Sequence, residues 1–153
     1  MSDLRELYQE VILDHSKRPR NFGLRPGANR AARGDNPLCG DRLSLALEVA
    51  DGIVKEARFE GSGCAISVAS ASLMTEVVRG LPVAEAERLF ERFHRLLTSD
   101  APAAEVGDLG KLEVFSGVRE YPIRVKCATL AWHTLHAALE RGAADDTVSV
   151  STE

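Results

Sequence analysis

Three cysteines, Cys39, Cys64 and Cys127, are the residues of this chain best suited to do chemistry. Thiolates are both nucleophiles and soft metal ligands, and each of these thiols has neighbours that favour its ionised form. Asn36-Pro37-Leu38-Cys39-Gly40-Asp41 has the composition of a tight turn and offers a thiol and a carboxylate two residues apart. Gly61-Ser62-Gly63-Cys64 places the second thiol at or just before a helix start, after glycines that let backbone or ligand approach closely. Arg124-Val125-Lys126-Cys127 places the third in the first turns of a helix, with two cations beside it. Cys127 also shares an apolar stripe and suits plain packing, the usual fate of a lone cysteine. Three of them, each at an element terminus beside glycine or a cation, point to a common site. Their separations of 25 and 63 positions match no short zinc motif, so spacing alone does not name the chemistry.

The elements that must bring them together follow from periodicity. Leu4, Leu7, Tyr8, Val11 and Ile12 form a helical stripe, with Asp3 as N-cap and Glu6 as its capping-box partner. From Arg20 to Leu38 there is no periodicity, which predicts a long surface loop. Leu43, Leu45, Leu47 and Val49 alternate with Ser44, Ala46 and Glu48, Asp51-Gly52 is a hairpin turn signal, and Ile53 to Glu60 returns. Ile66, Ala69, Ser70, Leu73, Met74, Val77 and Val78 then resume at helical spacing until Gly80-Leu81-Pro82. A second amphipathic helix carries Ala86, Leu89, Phe90, Phe93, Leu96 and Leu97, and a low-complexity connection runs from Ser99 to Gly110. The last helix opens at Tyr121-Pro122, contains Cys127 and closes at Gly142. Strands preceding a cluster of helices give an α+β domain with a small antiparallel sheet.

The 153 residues fit one domain over residues 1–142, with a disordered tail over 143–153. A chain of this size has no need of a metal merely to stay folded, so a metal here needs a functional motive. A net charge of -4 with interspersed signs argues against a nucleic-acid partner. No apolar run suits a membrane span and the N-terminus has no hydrophobic signal region, so a cytoplasmic location is expected, where three distant thiols serve reactivity or metal binding.

Three segments together, Asn36 to Asp41, Gly61 to Ser67 and Tyr121 to Leu130, resemble the IscU/NifU N-terminal-like iron–sulfur cluster assembly family, and the likeness runs from Leu4 to about Leu139. It is nearest the SufU branch, which carries an extra segment between the second and third cysteines, here about residues 81–110, and lysine before the third, here Lys126. Scaffolds of the IscU branch carry histidine in place of Lys126 and a Leu-Pro-Pro-Val-Lys chaperone-docking motif in place of Tyr121-Pro122-Ile123-Arg124-Val125.

The resemblance implies a SufE/NifU-like fold, a small antiparallel three-stranded sheet packed on helices, and a metal held by Cys39, Asp41, Cys64 and Cys127. Three thiolates and a carboxylate suit tetrahedral Zn2+, and the same thiolates suit a transient [2Fe–2S] cluster made labile by the aspartate. The implied function is a zinc-bound sulfur acceptor that takes persulfide sulfur from a SufS-like cysteine desulfurase onto Cys39 and passes it to downstream cluster assembly or acceptor proteins. That is a sulfur carrier rather than a turnover enzyme. The alternatives are a scaffold that assembles and donates a [2Fe–2S] cluster, and an interaction domain with a structural zinc. Arg124, one turn before Cys127, is read either as a partner of Asp41 or as a surface cation, and Lys126 as modulating a thiol or facing solvent. His15, His94, His133 and His136 are assigned packing or surface roles.

Overall fold

The turn at Asp51-Gly52 has both residues at positive φ, 54° and 73°, the backbone of a tight two-residue hairpin, and it fixes the register of the sheet. The computed structural model describes residues 2–37, 39–98, 109–141 and 148–151. In it β1 (Arg30–Asn36), β2 (Asp41–Ala50) and β3 (Ile53–Ser62) form an antiparallel meander, and β4 (Val148–Ser151) adds in parallel to β1, in the order β3-β2-β1-β4. Alternation puts Leu43, Leu45 and Leu47 of β2 into the core beside Ala32 of β1 and Phe59 of β3. A register shift at Glu48/Val49 changes the phase of β3, so that Val54, Ala57 and Phe59 all face inward.

Among the described residues four α-helices cover this sheet and each other: α1 (Ser2–Lys17), α2 (Ala65–Val78), α3 (Val83–Thr98) and α4 (Pro122–Arg141), with a 3-10 segment over Gly110–Glu120. Helix α2 packs against α1, α4 and β3, so Ser67, Ser70, Ser72 and Thr75 are buried along with its apolar residues. Their hydroxyls tie the layers together. Ser70 Oγ donates to the Ala128 carbonyl at 2.5 Å, and Ser72 Oγ meets His15 Nδ1 at 2.7 Å and accepts the Arg20 backbone N–H at 2.8 Å. Helix α4 crosses close over β1, because a Cβ at Gly34 would lie 2.1 Å from Thr134 Oγ1. Phe93 stacks on Trp132 with centroids 4.9 Å apart and meets Phe115 edge-on at 5.8 Å, joining α3, α4 and the 3-10 segment in one aromatic core.

Several expectations are corrected. The stretch Arg20 to Leu38 is not all loop, since β1 occupies its second half; its inward residues, Ala32, Gly34 and Asn36, are small or polar and give no strand signal. The three antiparallel strands are joined by β4, which lies within the segment expected to be a disordered tail. Asp3 lies inside α1, which begins at Ser2, and Leu7 is 53% exposed although it belongs to the apolar stripe. Residues 111–120, given no element from periodicity, form the 3-10 segment that buries Leu112, Val114, Phe115 and Val118. Most of the Ser99 to Gly110 connection lies outside the described residues. No helix among the described residues is long and apolar enough to cross a membrane.

Candidate metal centre

Three elements deliver the site. The β1–β2 turn carries Cys39: its backbone N–H reaches the Asn36 carbonyl at 3.2 Å, and Gly40 takes a φ of 71° that lets the chain re-enter β2 at Asp41. Asp41 is fully buried, and its Oδ1 accepts the Cys64 backbone N–H at 2.9 Å. A Cβ at Gly63 would lie 2.4 Å from that oxygen, so Gly63 is what admits the carboxylate. Cys64 is the N-cap of α2, with φ -70° and ψ 165°, and its sulfur accepts the Ser67 backbone N–H at 3.4 Å. Cys127 is buried on α4, and its Sγ lies 3.2 Å from Cys39 Sγ.

Ligand atoms of Cys39, Asp41 and Cys127 all lie within 4.8 Å of one another. Cys64 falls outside that group yet approaches it, its Sγ 4.0 Å from Asp41 Oδ2. In a tetrahedral site with Zn–S bonds of about 2.3 Å, neighbouring sulfurs sit about 3.8 Å apart. The four residues therefore offer a donor set of the right chemistry and nearly the right span for zinc. All three cysteines are free thiols. Cys39 and Cys64 are half-buried and face a cleft of about 600 Å³ whose other wall is Tyr121, Pro122, Ile123 and Arg124.

The thiolate expectation needs correction for Cys127. Burial, and then its hydrogen bond to Cys39, push this thiol above the usual range. Without a metal it holds its proton and donates it toward Cys39 Sγ, so loading a metal here must release a proton. Arg124 is exposed on the cleft wall, and among the described residues it makes no ion pair with Asp41. Lys126 is half-buried one residue before Cys127. None of the four histidines joins the group. His15 is buried against Ser72, while His94, His133 and His136 gather around Phe90 on the α3–α4 face.

Sequence patterning missed Asn36 as a member of the site. It is fully buried, and its Nδ2 lies 3.8 Å from Cys127 Sγ. Only its position three residues before Cys39 in the turn hinted at this.

The chain is similar to proteins already characterised or solved. The zinc-dependent sulfurtransferase SufU of Bacillus subtilis is 39% identical over 145 residues, covering 95% of both chains. The iron–sulfur cluster assembly scaffold protein IscU of Thermotoga maritima is 42% identical over 135 residues, 88% of this chain and 94% of its own. A crystal structure of a proposed iron–sulfur cluster assembly scaffold for the SUF system, from Fervidobacterium islandicum, superposes with a TM-score of 0.81 at 34% identity, over 89% of this chain and 98% of that one. Residues 7–141 match the NifU-like N terminal domain, and the chain belongs to that family of iron–sulfur cluster assembly proteins.

Proposed function

We propose that this protein is a zinc-bound sulfur acceptor of iron–sulfur cluster assembly, working in the cytoplasm with a cysteine desulfurase and downstream assembly or acceptor proteins. The observation that carries the proposal is the convergence of Cys39, Asp41 and Cys127 within 4.8 Å, with Cys64 at its edge, beside an open cleft. Cys39, Asp41, Cys64 and Cys127 would hold the ion, which when bound would keep the sulfurs deprotonated at neutral pH.

The chain's own residues divide the remaining work. All three cysteines line the cleft, but Cys127 is anchored on a helix and buried and Cys64 is tied to the first turn of α2, whereas Cys39 rides on a turn next to a left-handed glycine. Its attachment to a turn rather than a helix supports Cys39 as the sulfur that meets a donor. Its thiolate attacks the terminal sulfur of the desulfurase persulfide; a new S–S bond forms on Cys39, the donor's S–S bond breaks, and the desulfurase cysteine leaves as thiolate with the bonding pair. No net oxidation occurs. Arg124 on the cleft wall and Lys126 beside Cys127 supply positive charge near the anionic sulfurs.

The same ligands would serve a scaffold carrying a [2Fe–2S] cluster as cargo, the activity named for the Thermotoga relative. Metal and acid-labile sulfide content of anaerobically purified protein, with desulfurase turnover in its presence and absence, separates the two. One zinc, no sulfide and a stimulated desulfurase are expected. Stoichiometric iron and sulfide with little stimulation would make the protein a scaffold instead.

A further inference from the structure

The three sulfurs differ in what donates to them. Cys64 Sγ accepts the Ser67 backbone N–H at 3.4 Å, and Cys127 Sγ lies 3.8 Å from the side-chain Nδ2 of Asn36. Among the described residues Cys39 Sγ accepts no N–H at all; its partner is the neighbouring Cys127 sulfur at 3.2 Å. Asn36 is 0% exposed at the end of β1, opposite Asp41 in the register, and its Oδ1 is buried without a hydrogen-bond partner. Burying an amide with an orphaned oxygen is costly, and an apolar residue of the same shape would avoid that cost. The amide is therefore kept for what its N–H does, and the acceptor within its reach is Cys127.

We propose that Asn36 is a positioning residue that makes Cys127 a fixed, unreactive sulfur and so leaves Cys39 as the one that takes up sulfur. An N–H donated to a thiolate withdraws charge from it and so weakens it as a nucleophile, and it holds the sulfur's orientation as outer-shell partners of metal ligands do. The backbone of the same residue closes the turn that carries Cys39, through the 3.2 Å bond from the Cys39 N–H to the Asn36 carbonyl. One residue thus anchors one sulfur while leaving its neighbour, one van der Waals contact away, on a turn where no N–H among the described residues reaches it. The inference deepens the sulfur-acceptor proposal and rests on it.

The test compares wild type with Asn36→Leu, which keeps the shape and removes the N–H, in zinc-loaded protein. Iodoacetamide modification is followed site by site by mass spectrometry, and cobalt-substituted samples report thiolate-to-metal charge transfer. In wild type, Cys39 is expected to react at least about tenfold faster than Cys127, in line with the usual size of outer-shell effects. In Asn36→Leu that preference should collapse, with shifted charge-transfer bands and with sulfane sulfur from the desulfurase found on both residues. A reading that needs no variant comes from cadmium-substituted, isotope-labelled wild type, where a side-chain amide proton of Asn36 should show scalar coupling to the metal through Cys127 Sγ. Wild type that binds no zinc would count against the acceptor proposal itself. A protein that binds zinc, lacks that coupling and keeps Cys39 selectivity in Asn36→Leu would overturn the role of Asn36.

Discussion

At the scale of single residues, the site sets two carboxylate oxygens and three sulfurs against one another, and each has a separable task. Asp41 has a structural duty besides any metal: it is buried, and its Oδ1 satisfies the Cys64 N–H that starts α2. Asp41→Ala should therefore lose about 1–3 kcal/mol of stability from the stranded N–H as well as most of its zinc retention, measurable as a lower denaturant midpoint and faster zinc loss to a chelator. Unchanged metal content and unchanged sulfur transfer would remove Asp41 from the ligand set. Cys39→Ser is expected to behave differently. It alters a half-buried turn residue, so the folded state should lose little stability, while persulfide transfer from the desulfurase should fall at least about a hundredfold, in the range of losing an activated nucleophile. Transfer that survives in Cys39→Ser and disappears in Cys64→Ser would reassign the acceptor.

At the scale of elements, what could be foreseen depended on whether local pattern or tertiary context decides. Gly61-Ser62-Gly63 and the apolar spacing after it suffice to set Cys64 at a helix start, and it is the N-cap of α2. The β2–β3 hairpin was legible from strict alternation and Asp51-Gly52. Strand β1 was not, because a strand buried through Ala32, Gly34 and Asn36 needs small residues to let α4 approach, and smallness carries no period. Spacing likewise leaves Arg124 open between a partner of Asp41 and a surface cation: it sets Arg124 one turn from Cys127, but only the packing of α4 decides that its side chain is exposed. Helix packing elsewhere sets the titration of two histidines, His15 buried where α1 meets α2 and His133 half-buried where α4 meets α3. Burial, and next the Arg20 charge, hold His15 below its ordinary value of 6.5 despite Glu76 and Asp14, and burial with His94 and His136 nearby does the same to His133. The unfolded chain then binds protons more readily than the native one. Stability should be complete above about pH 6.5 and decline as the pH falls below it, through the window down to the native values. Denaturant midpoints from pH 7.5 to 5 should show this slope, and His15→Gln, which keeps a polar group near Ser72 without a titration, should flatten it. An identical slope in His15→Gln and His133→Gln would place the acid sensitivity elsewhere.

At the scale of the whole molecule, the question is whether the metal holds the fold or the fold holds the metal. The large buried side chains, Trp132, Phe93, Phe115, Phe59, Leu45, Leu47 and Leu73, lie in one core, and the four candidate ligands stand at its edge where the β1–β2 turn meets the starts of α2 and α4. Each ligand-bearing element has independent support: β1 and β2 are paired through seven register positions from Arg30↔Leu47 to Asn36↔Asp41, and α2 and α4 are joined by the Ser70–Ala128 bond. Chelation should then lower the melting temperature by an amount that depends on free zinc, through binding linkage alone, and leave a folded apoprotein. Its signature is specific, because Trp132 is stacked on Phe93 within the core: the near-ultraviolet dichroism of that pair should persist after zinc removal, while Cys39 becomes open to alkylation. Loss of that signal together with the helical signal would mean a structural zinc, as in small metal-folded domains, and would argue that the open cleft serves docking rather than sulfur chemistry. Retention of both, with readdition of zinc restoring protection of the thiols, would mean that the metal is there for the cysteines and not for the core.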